Sequence, residues 1–178
     1  MTRIASQTTS GTGARWHAVA VTALAVTLTL ASSGAAFAQS SGLVGTWLTQ
    51  VTLRNCQTNA PLGPPFYSLV TFHSDGTLSE NPGGTTFAPG QRTAGHGSWT
   101  RQGPNTYSQN IAALLLFDTP AGYPVPPGGF LAGGNTITHT VTLLDADHFT
   151  SAGTNALYTN AAVQYRTGCS TAAGQRFQ

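Results

Sequence analysis

Charged residues are scarce in this sequence. Only 7% of its 178 residues are charged, and all seven of its cations are arginines because the chain contains no lysine. Two of those arginines lie within the first 38 residues, and the other five are balanced by five acids. A neutral domain without lysine has no basic patch for nucleic acid or for an anionic membrane surface, so we expect neither as a partner.

Several motifs that carry chemistry are also missing. There is no His-x-His or Cys-x-x-Cys pair, and the stretch from Asp145 to His148 fits a hairpin turn better than a set of metal ligands. There is no Gly-x-Ser-x-Gly motif for a nucleophile, and the glycines lie in Pro-rich loops rather than between a strand and a helix. We therefore predict neither a metal nor a cofactor.

The N-terminus has the three-part layout of a secretory signal peptide. Arginines precede an apolar run over residues 18–31, and the small residues Ala36 and Ala38 mark a cleavage site. The run is shorter than the roughly 20 residues that span a bilayer. We predict a signal peptide over 1–38 and one secreted or periplasmic domain over 39–178, with no membrane span after cleavage. An uncleaved N-terminal anchor is the alternative.

The mature domain divides into short segments that alternate between apolar and polar residues. In the clearest of them, Ile137, His139, Val141 and Leu143 share one face and four threonines share the other. Turn signals bound eight such segments, at residues 45–56, 66–73, 77–80, 97–101, 106–117, 135–143, 148–158 and 163–177. Eight strands with almost no candidate helix favour an all-β, antiparallel, up-and-down barrel over a sandwich.

The first strand carries the information on register. Its odd-numbered residues are the more apolar, so we expect that face to point inward. Cys56 ends the segment, Cys169 is the only other cysteine, and export to an oxidising compartment favours a disulfide between them. If the two cysteines pair directly, Arg176 lies opposite Thr49, one step from Trp47. An inward Trp47 covered by Arg176 would close one end of the barrel, since a guanidinium can stack on an indole. Free cysteines and a solvated arginine are the alternative.

Short motifs give a family resemblance. Gly45-Thr46-Trp47, with Arg176 near the end of the last strand, resembles the Gly-x-Trp and distal Arg signature of lipocalins and the wider calycin group. The stretches 72–77 and 97–99 are similar to stretches of secreted bacterial lipocalin-like domains. The resemblance implies an eight-stranded barrel that is closed at the Trp47 end, with a mostly apolar interior open at the other. Dirigent-like and allene-oxide-cyclase-like barrels are the alternatives.

His139 is the strongest single candidate for chemistry. It interrupts an inward apolar face and can change its charge near neutral pH. In an enzyme it would be a general acid or base for a ligand in the lumen. Alternatively, it is a neutral core histidine bonded to a threonine or tyrosine hydroxyl.

Arginines and tyrosines complete the candidate site. Arg101 and Arg166 are predicted to point inward, where either could hold a ligand's carboxylate or enolate or pair with Glu80 or Asp118. Interior tyrosines could bond a ligand's polar end or belong to the core. The predicted ligand contacts are His139, Ile137, Val141, Trp99, Arg166 and Tyr67. If the protein is an enzyme, the predicted catalytic residues are His139, Arg101 and Tyr107.

Three functions fit these observations. The first is an exported barrel that binds a small hydrophobic or aromatic molecule in its lumen. The second is a cofactor-independent cyclase or isomerase, in which His139, an inward arginine and a tyrosine guide a reactive intermediate. The third is an interaction module that uses the Pro-rich loop 119–134 to bind another protein or to form a homodimer.

Overall fold

The computed structural model of the protein describes residues 42–83, 87, 90–116 and 130–178. They form eight strands: β1 (Gly45–Arg54), β2 (Phe66–Phe72), β3 (Thr77–Gly83), β4 (Gly95–Arg101), β5 (Thr106–Leu115), β6 (Gly133–Leu143), β7 (His148–Thr159) and β8 (Gln164–Arg176). Each strand pairs antiparallel with the next, and β8 pairs with β1 to close the barrel. The predicted all-β, up-and-down barrel is confirmed. No helix in the described ranges is long and apolar enough to cross a membrane.

Inward-pointing side chains close the barrel at the end where β1 begins. Trp47 is fully buried there, with its ring centroid 5.0 Å from that of Phe149 in an edge-to-face contact. Phe72 meets both Phe149 and Trp99 edge-to-face as well. We call this cluster the plug; its buried members are Leu43, Trp47, Val70, Phe72, Leu78, Tyr107, Ile111, Val141, Leu143 and Phe149. Strand alternation produces the plug because every second residue of each strand points into the barrel.

The register between β1 and β8 differs from the predicted one by two residues. Arg176 pairs with Trp47 rather than with Thr49, and Cys169 pairs with Arg54. The disulfide between Cys56 and Cys169 is nevertheless confirmed, with Cα atoms 5.1 Å apart. Direct pairing of the cysteines was the wrong assumption, because β1 ends at Arg54 and Cys56 lies in the turn that follows. A cysteine beyond the end of a strand can reach a partner that it does not face.

Arg176 connects the plug to the backbone around it. Its guanidinium carbon lies 4.2 Å from the centroid of the Trp47 ring. The same group donates to the carbonyl oxygens of Val44 at 2.8 Å, Gly42 at 3.0 Å and Ala146 at 2.8 Å. One side chain therefore holds the strand that enters the barrel, the turn before β7 and the indole in a single arrangement.

The glycine of the Gly-x-Trp motif is required by this contact. Gly45 has a φ of 131°, a conformation that other residues rarely adopt. A Cβ atom at this position would lie 2.6 Å from Nη1 of Arg176. Glycine at position 45 therefore leaves the room that the guanidinium of Arg176 needs over Trp47.

The outer face of β5 carries apolar residues, because the sequence over 111–117 is apolar on both faces of the strand. Leu114 is 60% exposed and Leu116, just past the end of β5, is 53% exposed. The sequence offers the Pro-rich loop 119–134, which is predicted to bind a partner, as a candidate cover for this face. Residues 119–129 of that loop lie outside the described residues, so this remains a prediction.

We expect Arg176→Lys to lower the free energy of unfolding by about 2–3 kcal/mol, because lysine cannot stack on Trp47 and reach three carbonyls at once. The matched control is Arg101→Lys. Arg101 is exposed, and within the described ranges its guanidinium donates to two carbonyls of its own turn, so the loss should be below about 1 kcal/mol. Guanidinium denaturation of both variants measures the difference; equal losses would contradict the role given to Arg176.

Candidate functional site

Two adjoining cavities lie inside the barrel, beyond the plug. The inner cavity, next to the plug, has a volume of about 60 Å³, and the outer cavity one of about 320 Å³. The residues that line both are Val51, Phe66, Glu80, Ile137 and Ser170. The outer cavity falls at the lower end of the size range of small-molecule binding sites.

Apolar side chains from several strands and loops line the outer cavity. Phe130 and Leu157 are buried there, and Phe87 packs against them with its ring centroid 4.5 Å from that of Phe130. Leu53 and Ile137 supply further apolar surface from β1 and β6. The cavity therefore presents mainly hydrocarbon and aromatic surface to an occupant.

A buried ion pair lies at the junction of the two cavities. Nη2 of Arg92 is 2.9 Å from Oε2 of Glu80, and the two side chains are only 5% and 7% exposed. Ser68 donates to the other carboxylate oxygen at 3.1 Å, and Nε of Arg92 donates to Oδ1 of Asn135 at 3.1 Å. The pairing of Glu80 with an arginine was expected, but with Arg101 or Arg166. Arg92 was missed because it lies in a Gly- and Thr-rich stretch that has no alternation to indicate which way it points.

Arg166 lines the outer cavity, as its predicted inward direction requires. Its guanidinium carbon lies 4.6 Å from the centroid of the Phe130 ring and 6.0 Å from that of Tyr165. The pairing of β7 with β8 is irregular between Leu157 and Tyr158, opposite this part of β8. Stacking on an aromatic ring keeps a guanidinium charge beside an apolar cavity.

His139 lies in the wall of the inner cavity and is 4% exposed. Its Nδ1 is 3.0 Å from Oγ of Ser151 and its Nε2 is 2.9 Å from Oγ of Ser170. Burial lowers the pKa of His139 from 6.5 to about 4, so the ring is neutral at physiological pH. One ring nitrogen donates to a serine and the other accepts from a serine. This is the arrangement of a core histidine bonded to hydroxyls, with serines in place of the expected threonine or tyrosine.

Gln109 is a polar residue of the inner cavity that the sequence analysis missed. It pairs with His139 across β5 and β6 and is 6% exposed. Its Oε1 atom is buried and has no hydrogen-bond partner among the described residues. Its place between inward Tyr107 and Ile111 was the available signal, because a glutamine there interrupts an apolar face.

Several predicted ligand contacts lie away from both cavities. Tyr67 is 54% exposed on the outer surface, because the even-numbered residues of β2, such as Ser68, point inward. Val141 is buried within the plug, and Trp99 packs against the plug while its Nε1 donates to the carbonyl of His73. Of the predicted set, His139, Ile137 and Arg166 line a cavity.

The structure does not assemble the predicted catalytic residues. Tyr107 belongs to the plug, and His139 lies in the wall of the inner cavity. Arg101 is the last residue of β4, and its guanidinium turns to the carbonyls of Gly103 at 2.8 Å and Pro104 at 2.7 Å. Alternation alone does not place the last residue of a strand in the lumen, since the barrel wall ends there.

No protein-family model, curated protein or solved structure matches this chain. The described residues also contain no group of three or more His, Cys, Asp or Glu side chains placed to hold a metal ion. Fold and site together define a closed, eight-stranded antiparallel barrel with a two-part internal cavity.

We expect the buried histidine to destabilise the fold in acid. The unfolded chain binds a proton at His139 near pH 6.5, whereas the folded protein binds it only near pH 4. The contribution of neutral His139 to the free energy of unfolding is therefore fully present above pH 6.5. It falls by about 3 kcal/mol as the pH drops to 4.

Urea denaturation between pH 7 and pH 4 should show a smaller acid loss for His139→Gln than for the wild type. His96→Gln is the matched control, because His96 is exposed on β4, and it should keep the wild-type loss. An unchanged loss in His139→Gln would show that His139 is not the group responsible.

Proposed function

We propose that this protein binds a small apolar or aromatic molecule in the outer cavity of its barrel. The observation that carries the proposal is the cavity of about 320 Å³ whose walls include Leu53, Phe130, Ile137 and Leu157. Protein interiors are otherwise packed to the density of organic crystals, and empty apolar volume costs free energy. A cavity of this size and lining is best explained by an occupant.

The closed end of the barrel supports a lipocalin-like assignment. The residues that carry the motif resemblance contact one another in the structure. Arg176 stacks on Trp47 and fills the space that Gly45 leaves open. In a barrel closed at that end, a ligand binds toward the other. The lipocalin-like assignment thus belongs to the same proposal as ligand binding.

The geometry of the polar residues favours binding over turnover. His139 makes a hydrogen bond with each ring nitrogen to a buried serine, and its lowered pKa keeps it neutral. Tyr107 and Arg101 belong to other parts of the barrel. The cyclase or isomerase mechanism needed these three side chains around one ligand.

We also propose that the protein is exported. The disulfide between Cys56 and Cys169 supports an oxidising compartment, secreted or periplasmic, because cytosolic thiols are kept reduced. The three-part layout of residues 1–38 supplies a route to that compartment.

Export predicts a defined mature product. Intact-mass spectrometry of the protein from its host's exported fraction should give a chain that begins at Gln39, with the mass deficit of one disulfide. An N-terminus at Met1 would contradict cleavage, and a gain of two hydrogens would contradict the oxidised state.

Ligand binding predicts that filling the cavity abolishes it. Ile137 lines both cavities, whereas the next residue, Thr138, is exposed on the outer face. We expect Ile137→Trp to weaken binding of the uncharged fluorescent probe N-phenyl-1-naphthylamine at least about tenfold by occupying its space. Thr138→Trp is the matched control and should bind like the wild type.

Fluorescence titration measures the three affinities, and circular dichroism checks that both variants fold. A wild-type protein that does not bind the probe would overturn the proposal. Equal binding by the folded Ile137→Trp variant would show that the probe binds elsewhere.

A further inference from the structure

Asn155 presents a side-chain amide to the outer cavity. It is half-buried on β7, lines that cavity and pairs directly with Gly168 of β8. Gly168 leaves room for the amide, since a Cβ there would lie 2.9 Å from Oδ1 and 3.1 Å from Nδ2 of Asn155. Within the described ranges the amide makes no hydrogen bond, and both of its polar atoms keep accessible surface. A molecule in the outer cavity can therefore reach it.

The amide of Asn155 lies in a wall that is otherwise apolar at this depth. Asn155 is on the inward face of β7, in phase with buried Ser151 and Leu157. Its partner on β6 is Ile137, which lines both cavities. A single polar side chain between Ile137 and Leu157 can fix the orientation of a ligand, because the apolar surface around it does not discriminate between the ligand's ends.

Arg166 brings a positive charge to the same wall. It lies opposite Leu157, one inward position along β8 from Gly168, and is thus the diagonal neighbour of Asn155. Such neighbours have their Cβ atoms about 7 Å apart, so one small group between their side chains can interact with both. The guanidinium stacks on the Phe130 ring, and its five N–H donors allow it to serve more than one acceptor.

Positive charge predominates around the outer cavity. The charged residues that line it, in the part of the chain that the structure describes, are Arg54, Arg92, Arg166 and Glu80. Of these, Glu80 is already paired with Arg92. The remaining described acids lie in turns at the plug end of the barrel and are Asp75, Asp145 and Asp147. The cavity therefore favours an anionic group over a cationic one.

We propose, on the basis of the ligand binding proposed above, that the ligand is an apolar carboxylic acid bound as its carboxylate. Its hydrocarbon or aromatic body occupies the outer cavity. Nδ2 of Asn155 donates a hydrogen bond to the carboxylate, and the charge of Arg166 offsets the charge of the carboxylate. A carboxylate suits this pair because it only accepts hydrogen bonds, and a cation beside it removes the cost of burying an unpaired charge.

The test is a competition experiment with three probes that share one ring system: 2-naphthoate, naphthalene and 2-naphthylmethylammonium. Each is titrated at neutral pH against N-phenyl-1-naphthylamine bound to the wild type, to Asn155→Leu and to Arg166→Gln. Asn81→Leu and Arg101→Gln are the matched controls, because Asn81 is exposed on the outer face of β3 and Arg101 is exposed at the plug end. Circular dichroism checks that each variant folds.

We expect the wild type and both controls to bind 2-naphthoate about tenfold more tightly than naphthalene, and the ammonium probe more weakly than either. In Asn155→Leu the preference for 2-naphthoate should fall about tenfold while naphthalene still binds, because the donor to the carboxylate is lost. In Arg166→Gln the carboxylate loses its counter-charge, so 2-naphthoate should bind no more tightly than naphthalene.

Three results would overturn the inference. Equal affinities of the wild type for 2-naphthoate and naphthalene would show that the cavity does not select a carboxylate. A preference for 2-naphthoate that survives in either Asn155→Leu or Arg166→Gln would place the carboxylate elsewhere, and tighter binding of the ammonium probe would show that the site selects a cation. Each of these differs from failure of the proposed function, in which the wild type binds none of the probes.

Discussion

The contact between Arg176 and Trp47 is the interaction on which the rest of the barrel depends. The guanidinium lies over the indole and donates to the carbonyls of Gly42, Val44 and Ala146. It therefore fixes the pairing of the last strand with the first, which closes the barrel. This contact and the aromatic cluster around it fill one end, and the two cavities lie beyond the plug.

The size of the inward residues explains where that space lies. Near the plug the barrel is filled by large residues such as Phe72 and Phe149. Further along β7 and β8, the inward positions hold small residues: Ser151, Gly153, Gly168, Ser170 and Ala172. Gly153 makes room for His139, since a Cβ there would lie 2.6 Å from Cδ2 of the ring. The cavity is thus the volume that these small side chains do not fill.

The buried polar groups of the interior are of three kinds. Glu80 and Arg92 form a buried pair, burial keeps His139 neutral between two serines, and Oε1 of Gln109 has no hydrogen-bond partner among the described residues. Such an interior disfavours a further buried charge that lacks a partner.

Alternation and turn chemistry were enough to predict the fold class and most strands, because a half-buried strand repeats its environment every two residues. The inward face of β6, with His139 on it, followed from the same rule. The rule fails where strands end: Arg101 has the inward phase but turns to carbonyls beyond the barrel wall. It also fails in loops, which is why Arg92 was not recognised as the partner of Glu80. The register of β1 with β8 was two residues off because Cys56 lies past the end of its strand.

The sequence by itself determined the barrel, the disulfide pair, the inward histidine, and the tryptophan and arginine that close one end. These follow from local periodicity and from the pairing of rare residues, both of which are properties of the linear chain. Only the tertiary structure decided that Tyr107 belongs to the plug and that Gln109 lines a cavity. Those outcomes depend on the depth of each residue in the closed barrel and on the neighbours that surround it there. Depth and neighbours arise only when eight strands close on one another.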